Sequence, residues 1–220
     1  MPKPTSGNVS VNLDQWADGP VLQGDADGNG QTQEVFVNGN LNAQKAHYNE
    51  GDSIPYRAIL DNLTPGVVYG LVIQWDTVDS GAYALDYLTG FNFSFEGTKH
   101  PGEPDVNPLL GVSGISSGDI TPAAIQSDAQ LLDGFGAQFG TTDGLSSGLP
   151  SGAQSITLFG SVSGAVVGTV TYNADLTKAS VTISFMYTGS AADNADTVVV
   201  AWGGHIASSL AWADDPGETV

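Results

Sequence analysis

Short runs that alternate apolar and polar residues recur along this chain, while apolar residues rarely recur at the i, i+3, i+4, i+7 spacing of a helix face. Val9, Val11 and Leu13 alternate with polar neighbours, and Phe91, Phe93 and Phe95 alternate with Asn92, Ser94 and Glu96. Residues 34–37, 54–60, 67–75, 155–159, 164–172, 179–187 and 197–202 form further strand-like runs, bounded mostly by Gly, Pro, Asn and Asp. Strands in succession without intervening helices predict an all-β fold, an antiparallel Ig-like or jelly-roll-like β-sandwich. Asn173-Ala174-Asp175-Leu176-Thr177 is expected to join 168–172 to 179–185 as a hairpin whose apolar residues fall on one face. Gly203-Gly204 after a strand predicts a bulge or a close backbone approach. Trp75 and Trp202 end apolar runs and are read as core.

The 220 residues accommodate one large β domain, and a hydrophobic content of 40% is enough to bury a core. Residues 1–15 read as an N-terminal strand or arm, 16–212 as a single sandwich, and 213–220 as a linker. Residues 99–152 are rich in Gly, Ser, Pro and Asp and read as a long loop insertion across one end of the sandwich; the alternative is a linker between two small domains. Residues 123–132 within it can form a helical turn or two. The start, Met1-Pro2-Lys3-Pro4, lacks the apolar stretch of a signal peptide and is read as a mature segment with an added Met.

Charge restricts the partners. Twenty-four Asp and Glu against five Lys and Arg give a formal charge of −19. Such a chain repels phosphate backbones and anionic lipid, so binding to nucleic acid or to a membrane surface is not expected, and no apolar run approaches the ~20 residues that span a bilayer, so no membrane insertion is expected. With no cysteine in the chain, thiol catalysis, thiolate metal sites and disulfides are excluded. What remains is solubility, including solubility in high salt, or capture of hard cations by carboxylates.

Gly24-Asp25-Ala26-Asp27-Gly28-Asn29-Gly30-Gln31 is the sharpest local motif. Oxygen-bearing side chains at alternate positions followed by Gly form the first half of a calcium loop. Asp25, Asp27 and Asn29 can converge on one ion, Gly30 permits the turn, and Gln31 can offer its backbone carbonyl. The twelfth position is Phe36 instead of a bidentate Glu, so this is no EF-hand, and Glu34 or a distant carboxylate has to complete the shell. Calcium is the expected cofactor; the bland alternative is an Asp/Asn/Gly-rich turn. Asp193-Asn194-Ala195-Asp196 reads as a solvated turn with a weaker resemblance to a cation loop.

Catalytic signatures are scarce. His47, His100 and His205 show no zinc spacing, and no nucleophile elbow or dinucleotide fingerprint occurs. No enzymatic activity is expected. Trp16 and Trp212 lie in polar contexts and are candidate glycan contacts, since exposed aromatic rings stack on sugars. Arg57, beside Tyr56 in a strand, is expected to form a buried pair with Asp76 or Asp86, and His205 is expected to be a hydrogen-bonded structural residue.

Three segments together resemble a known group. They are Asn38-Gly39-Asn40-Leu41 leading to Tyr48-Asn49-Glu50-Gly51-Asp52-Ser53-Ile54-Pro55-Tyr56-Arg57, then Gln74-Trp75-Asp76-Thr77 leading to Ala84-Leu85-Asp86-Tyr87-Leu88, and Ala201-Trp202-Gly203-Gly204-His205-Ile206-Ala207. Their order and spacing resemble the N-terminal β-sandwich region of large secreted bacterial surface proteins carrying Ig-like or prealbumin-like modules. The resemblance covers about residues 34–212 and implies an extracellular β-sandwich; it carries over no catalytic residue. The chain departs from it in lacking cysteines near residues 108–116 and in ending soon after the Trp-Gly-Gly-His segment.

The resulting expectation is an extracellular structural or adhesive module of a cell-surface protein, stabilised by calcium, whose partners are other modules of the same protein or neighbouring copies. One alternative is a self-assembling subunit of a fibre or surface layer that donates Val9 to Leu13 to a neighbour. Another is a carbohydrate-binding module using Trp16 or Trp212.

Overall fold

A computed structural model describes residues 8–18, 35–42, 45–94, 105–116, 118–126, 154–189 and 196–207. These contain strands and turns and no helix. The strands are β1 (Ser10–Ala17), β2 (Val35–Val37), β3 (Ser53–Asp61), β4 (Val68–Asp76), β5 (Val78–Asp79), β6 (Ala82–Tyr83), β7 (Leu85–Thr89), β8 (Ile120–Ala124), β9 (Ser155–Phe159), β10 (Val162–Val167), β11 (Thr171–Tyr172), β12 (Lys178–Tyr187) and β13 (Val198–Ile206). All pairings are antiparallel.

The larger sheet runs β2-β1-β3-β13-β9-β8. β3 pairs with β13 along eight consecutive positions, so β9 and β7 share the opposite edge of β13, β9 at Val199–Ala201 and β7 at the Gly203–Ile206 end. The smaller sheet is three rows wide, with β12 central, β4 on one flank and β10 followed by β11 on the other. The two sheets enclose the main core as an antiparallel β-sandwich. Ala58, Leu60, Leu158, Val198, Val200 and Trp202 meet Ile73, Trp75, Val181, Ile183, Phe185 and Tyr187 across the interface. Strict alternation in β12 follows from this, since its other face is exposed or half-exposed.

β13 behaves differently. Val198, Val199, Val200, Ala201 and Trp202 are all buried, because the outer face of the larger sheet is covered as well. Leu109, Val112 and Ile115 pack there against Phe159, Val199 and Ala201. Described residues 105–116 therefore lie over the face of the larger sheet, not across an end of the sandwich as expected. Residues 120–124 form edge strand β8, so no helical turn begins at 123, and residues 127–132 of that expectation lie outside the described residues; Pro122 is tolerated at the edge of a sheet. The aromatic alternation at Phe91 and Phe93 is also not a strand. Residues 91–94 are a turn, closed by Phe93 N–H to Gly90 O at 3.1 Å, whose rings anchor it to the covered face. The 173–177 hairpin forms, with Asn173 N–H donating to Lys178 O at 3.0 Å and Lys178 N–H to Asn173 Oδ1 at 2.9 Å.

Candidate functional site

The covered outer face of the larger sheet is polar as well as apolar. Along β13 the odd positions point outward, so His205 lies on this face, directly paired with Ser53 of β3. β7 brings in Asp86, whose Oδ1 lies 2.7 Å from His205 Nδ1. Tyr87 stacks on the imidazole with ring centroids 4.2 Å apart, and Phe93 meets it edge-on. His205 is 7% exposed, Asp86 3% and Ser53 fully buried.

Burial pushes the Asp86 carboxyl above its ordinary range, opposed by the hydrogen bond and charge of His205 and by the backbone N–H of Tyr87. Asp86 Oδ2 and Ser53 Oγ are both buried without a hydrogen-bond partner. An acid, an imidazole and a hydroxyl are the residue types of an acyl-transfer triad. Here they do not form one: Ser53 Oγ makes no bond to His205, and the rings of Tyr87 and Phe93 cover the imidazole. Ser53 N–H is instead held by Ser94 Oγ at 2.6 Å.

Gly203 makes this packing possible. A Cβ at that position would collide with Thr89 Oγ1 and lie 2.7 Å from Gly90 O. A register shift between Gly204 and Ile206 against β7 accompanies the close approach. Both features match the reading of Gly203-Gly204 from sequence.

Arg57 is the second polar anchor of the same face, and its expected partners are corrected. Its Nε donates to Asp14 Oδ2 at 3.0 Å, and Nη1 donates to the carbonyls of Pro108 at 2.9 Å and Leu110 at 2.6 Å. The Phe36 ring lies 4.1 Å beneath the guanidinium. Asp76 cannot reach it, being in the smaller sheet, where it pairs with Lys178 at 2.9 Å with both side chains half-exposed. Asp86 is committed to His205. Sequence parity places Arg57 on the outer face, but nothing in it names β1 as the neighbouring strand.

Trp16, expected as an exposed platform, is 5% exposed and packs edge-on against Phe36 with centroids 5.0 Å apart. Its ring is therefore closed to a sugar. Trp212 lies outside the described residues. So do Asp25, Asp27, Asn29, Gln31 and Glu34, which belong to the connection from β1 to β2. That connection starts at a fixed point: Ala17 and Val35 are register partners, and buried Asp18 accepts from His47 N–H at 3.0 Å. Among the described residues no group of three His, Asp or Glu is arranged to hold a metal ion. Comparison of the chain with protein-family models, curated proteins and solved structures finds no match.

Proposed function

We propose that this chain is a non-enzymatic structural or adhesive module of an extracellular surface protein, stabilised by calcium at Asp25, Asp27, Asn29, Gln31 and Glu34. The observation that carries this reading is the enclosure of the His205–Asp86 pair. Around it the polar side chains serve as fasteners: Ser94 ties the 91–94 turn to β3, Arg57 ties 105–116 to the sheet, and Asn92 accepts from Val106 N–H to join the two segments. What such a fold offers a partner is its surface. The acidic composition and the surface-protein resemblance support an extracellular setting, and the Asp25 motif supports calcium.

The test is retention of beads coated with the chain on a panel of immobilised polysaccharides and extracellular-matrix proteins. It is run in millimolar calcium and in chelator. Calcium-dependent retention on at least one surface is the expected result. Retention on none, together with hydrolysis of ester or glycoside substrates that is lost in His205→Ala, would replace the module with an enzyme.

A further inference from the structure

Two Asn-Gly pairs occur in the chain, Asn29-Gly30 and Asn38-Gly39. The first lies outside the described residues. The second follows β2 directly. Val37 faces Gln15 and Asp14 faces Arg57, so Asn38 falls on the row of Asp14 and Arg57. Asn38 and Gly39 are both exposed. A glycine after Asn has no side chain to shield its backbone nitrogen, which can then reach the Asn side-chain carbon. Gly39 sits at φ +107°, in the region that favours glycine, and a Cβ on it would meet nothing within 4 Å. Among the described residues no hydrogen bond occupies its N–H.

The Asn38 amide heads a hydrogen-bonded chain. Its Nδ2 donates to Asn12 Oδ1 at 2.7 Å and to the Leu13 carbonyl at 3.2 Å. Asn12 Nδ2 in turn donates to Asp14 Oδ1 at 2.9 Å. Asp14 Oδ2 accepts from Arg57, which holds the Pro108 and Leu110 carbonyls of the covering segment. The direction of this chain is fixed at its buried end. An ionised carboxylate accepts and never donates, so Asn12 turns its Nδ2 to Asp14 and its Oδ1 to Asn38, and Asn38 has to supply an N–H. A carboxylate at position 38 cannot do so. It would set acceptor against acceptor at both Asn12 Oδ1 and the Leu13 carbonyl.

We propose that Asn38 is a site of spontaneous deamidation, and that conversion of its amide to a carboxylate loosens the fastening of residues 105–116 through Asn12 and Asp14. The Gly39 nitrogen gives its proton to water and attacks Asn38 Cγ. The Cγ–Nδ2 bond breaks, ammonia departs and a five-membered cyclic imide forms. Water then adds to either imide carbonyl and opens the ring, to Asp or to isoaspartate, in which the main chain runs through Cγ. Water is the one co-reactant, so amide and water become carboxylate and ammonium. The bonds to Asn12 and Leu13 hold the departing amide in place, so the fold sets the pace of the reaction. This goes beyond the module reading and does not rest on it, since it is measured on the pure chain.

The folded chain is incubated at mildly alkaline pH and mapped by peptide mass spectrometry, beside the same chain unfolded in urea. Asp and isoaspartate are expected to accumulate at position 38 in the folded chain, more slowly than in urea. Asn12→Ala removes the acceptor at 2.7 Å from the Asn38 amide and should speed conversion in the folded chain about fivefold, the worth of one hydrogen bond. Asn38→Asp stands in for the product. Its amide hydrogen exchange should quicken about fivefold over residues 105–116 and stay unchanged in β12. Asn38 left intact in the folded chain after the urea sample has converted, an unchanged rate in Asn12→Ala, or unchanged exchange over 105–116 in Asn38→Asp would each overturn the proposal.

Discussion

Asp14 and Arg57 are direct register partners on β1 and β3, and one carboxylate oxygen, Oδ2, lies 3.0 Å from both Nε and Nη2 of the guanidinium. Both side chains are more than nine-tenths buried. The guanidinium also takes the carbonyls of Pro108 and Leu110, so one residue links two strands of the sheet to the segment covering it.

Breaking this pair from one side leaves the other charge buried. Arg57→Ala is expected to cost about 3–5 kcal/mol, a drop in Tm on the order of 10 °C for a domain of this size. Asp14→Asn alone should cost less, because the amide oxygen still accepts one bond. Urea unfolding of the two single variants and the double variant gives the coupling energy. Additive losses would show that Arg57 acts only through the Pro108 and Leu110 carbonyls.

Gly203 makes a second, steric prediction. The Cβ of Gly203→Ala meets Thr89 Oγ1 and the Gly90 carbonyl, so the substitution should destabilise by about 1–3 kcal/mol. Thr89→Ala in the same chain removes one obstacle and leaves the carbonyl, so partial rescue is expected. Full rescue would assign the close approach to Thr89 alone, and no loss at all would contradict the packing of β7 on β13.

Much of the sandwich is legible in the sequence, for a physical reason. β4 and β12 have one core face and one solvent-facing side, and their alternation follows directly. β13 does not alternate because both of its faces are covered, and the second cover is a segment without periodicity. Leu109, Val112 and Ile115 are apolar anchors on an irregular chain, which pattern reading takes for a loop. Phe91 and Phe93 keep strand spacing although they sit in a turn, since alternation records which side chains are anchored and not the backbone between them. The partner of Arg57 was hidden for a topological reason. Period two fixes the face of a residue, whereas strand order fixes its neighbour. His205 is hydrogen-bonded, as its context suggests, while its stacking under Tyr87 depends on how β7 joins the edge of β13 that β9 leaves free.

The calcium reading gives a direct comparison. Asp25→Ala with Asp27→Ala should abolish any calcium-dependent gain in Tm, a gain worth about 2.7 kcal/mol at a hundred times the dissociation constant. An unchanged gain in the double variant would move the site to other carboxylates, and no gain in the parent chain would remove calcium from the account of its stability.

Asp86 predicts a pH dependence of definite sign. Its carboxyl is raised in the folded chain, first by burial and against the opposing pull of His205. A raised acid favours the protonated form in the native state. Its contribution is therefore fully present below the unfolded value near 3.9 and is lost as pH rises through the folded value. Asp86→Asn cannot ionise and lacks this loss. The difference in unfolding free energy between the parent chain and Asp86→Asn should thus shift toward the variant as pH rises from about 4. Urea midpoints measured across that range check it. A difference that is flat with pH would mean that the His205 hydrogen bond fully offsets the burial of the carboxylate, and one that shifts toward the parent chain would mean that the ion pair outweighs it.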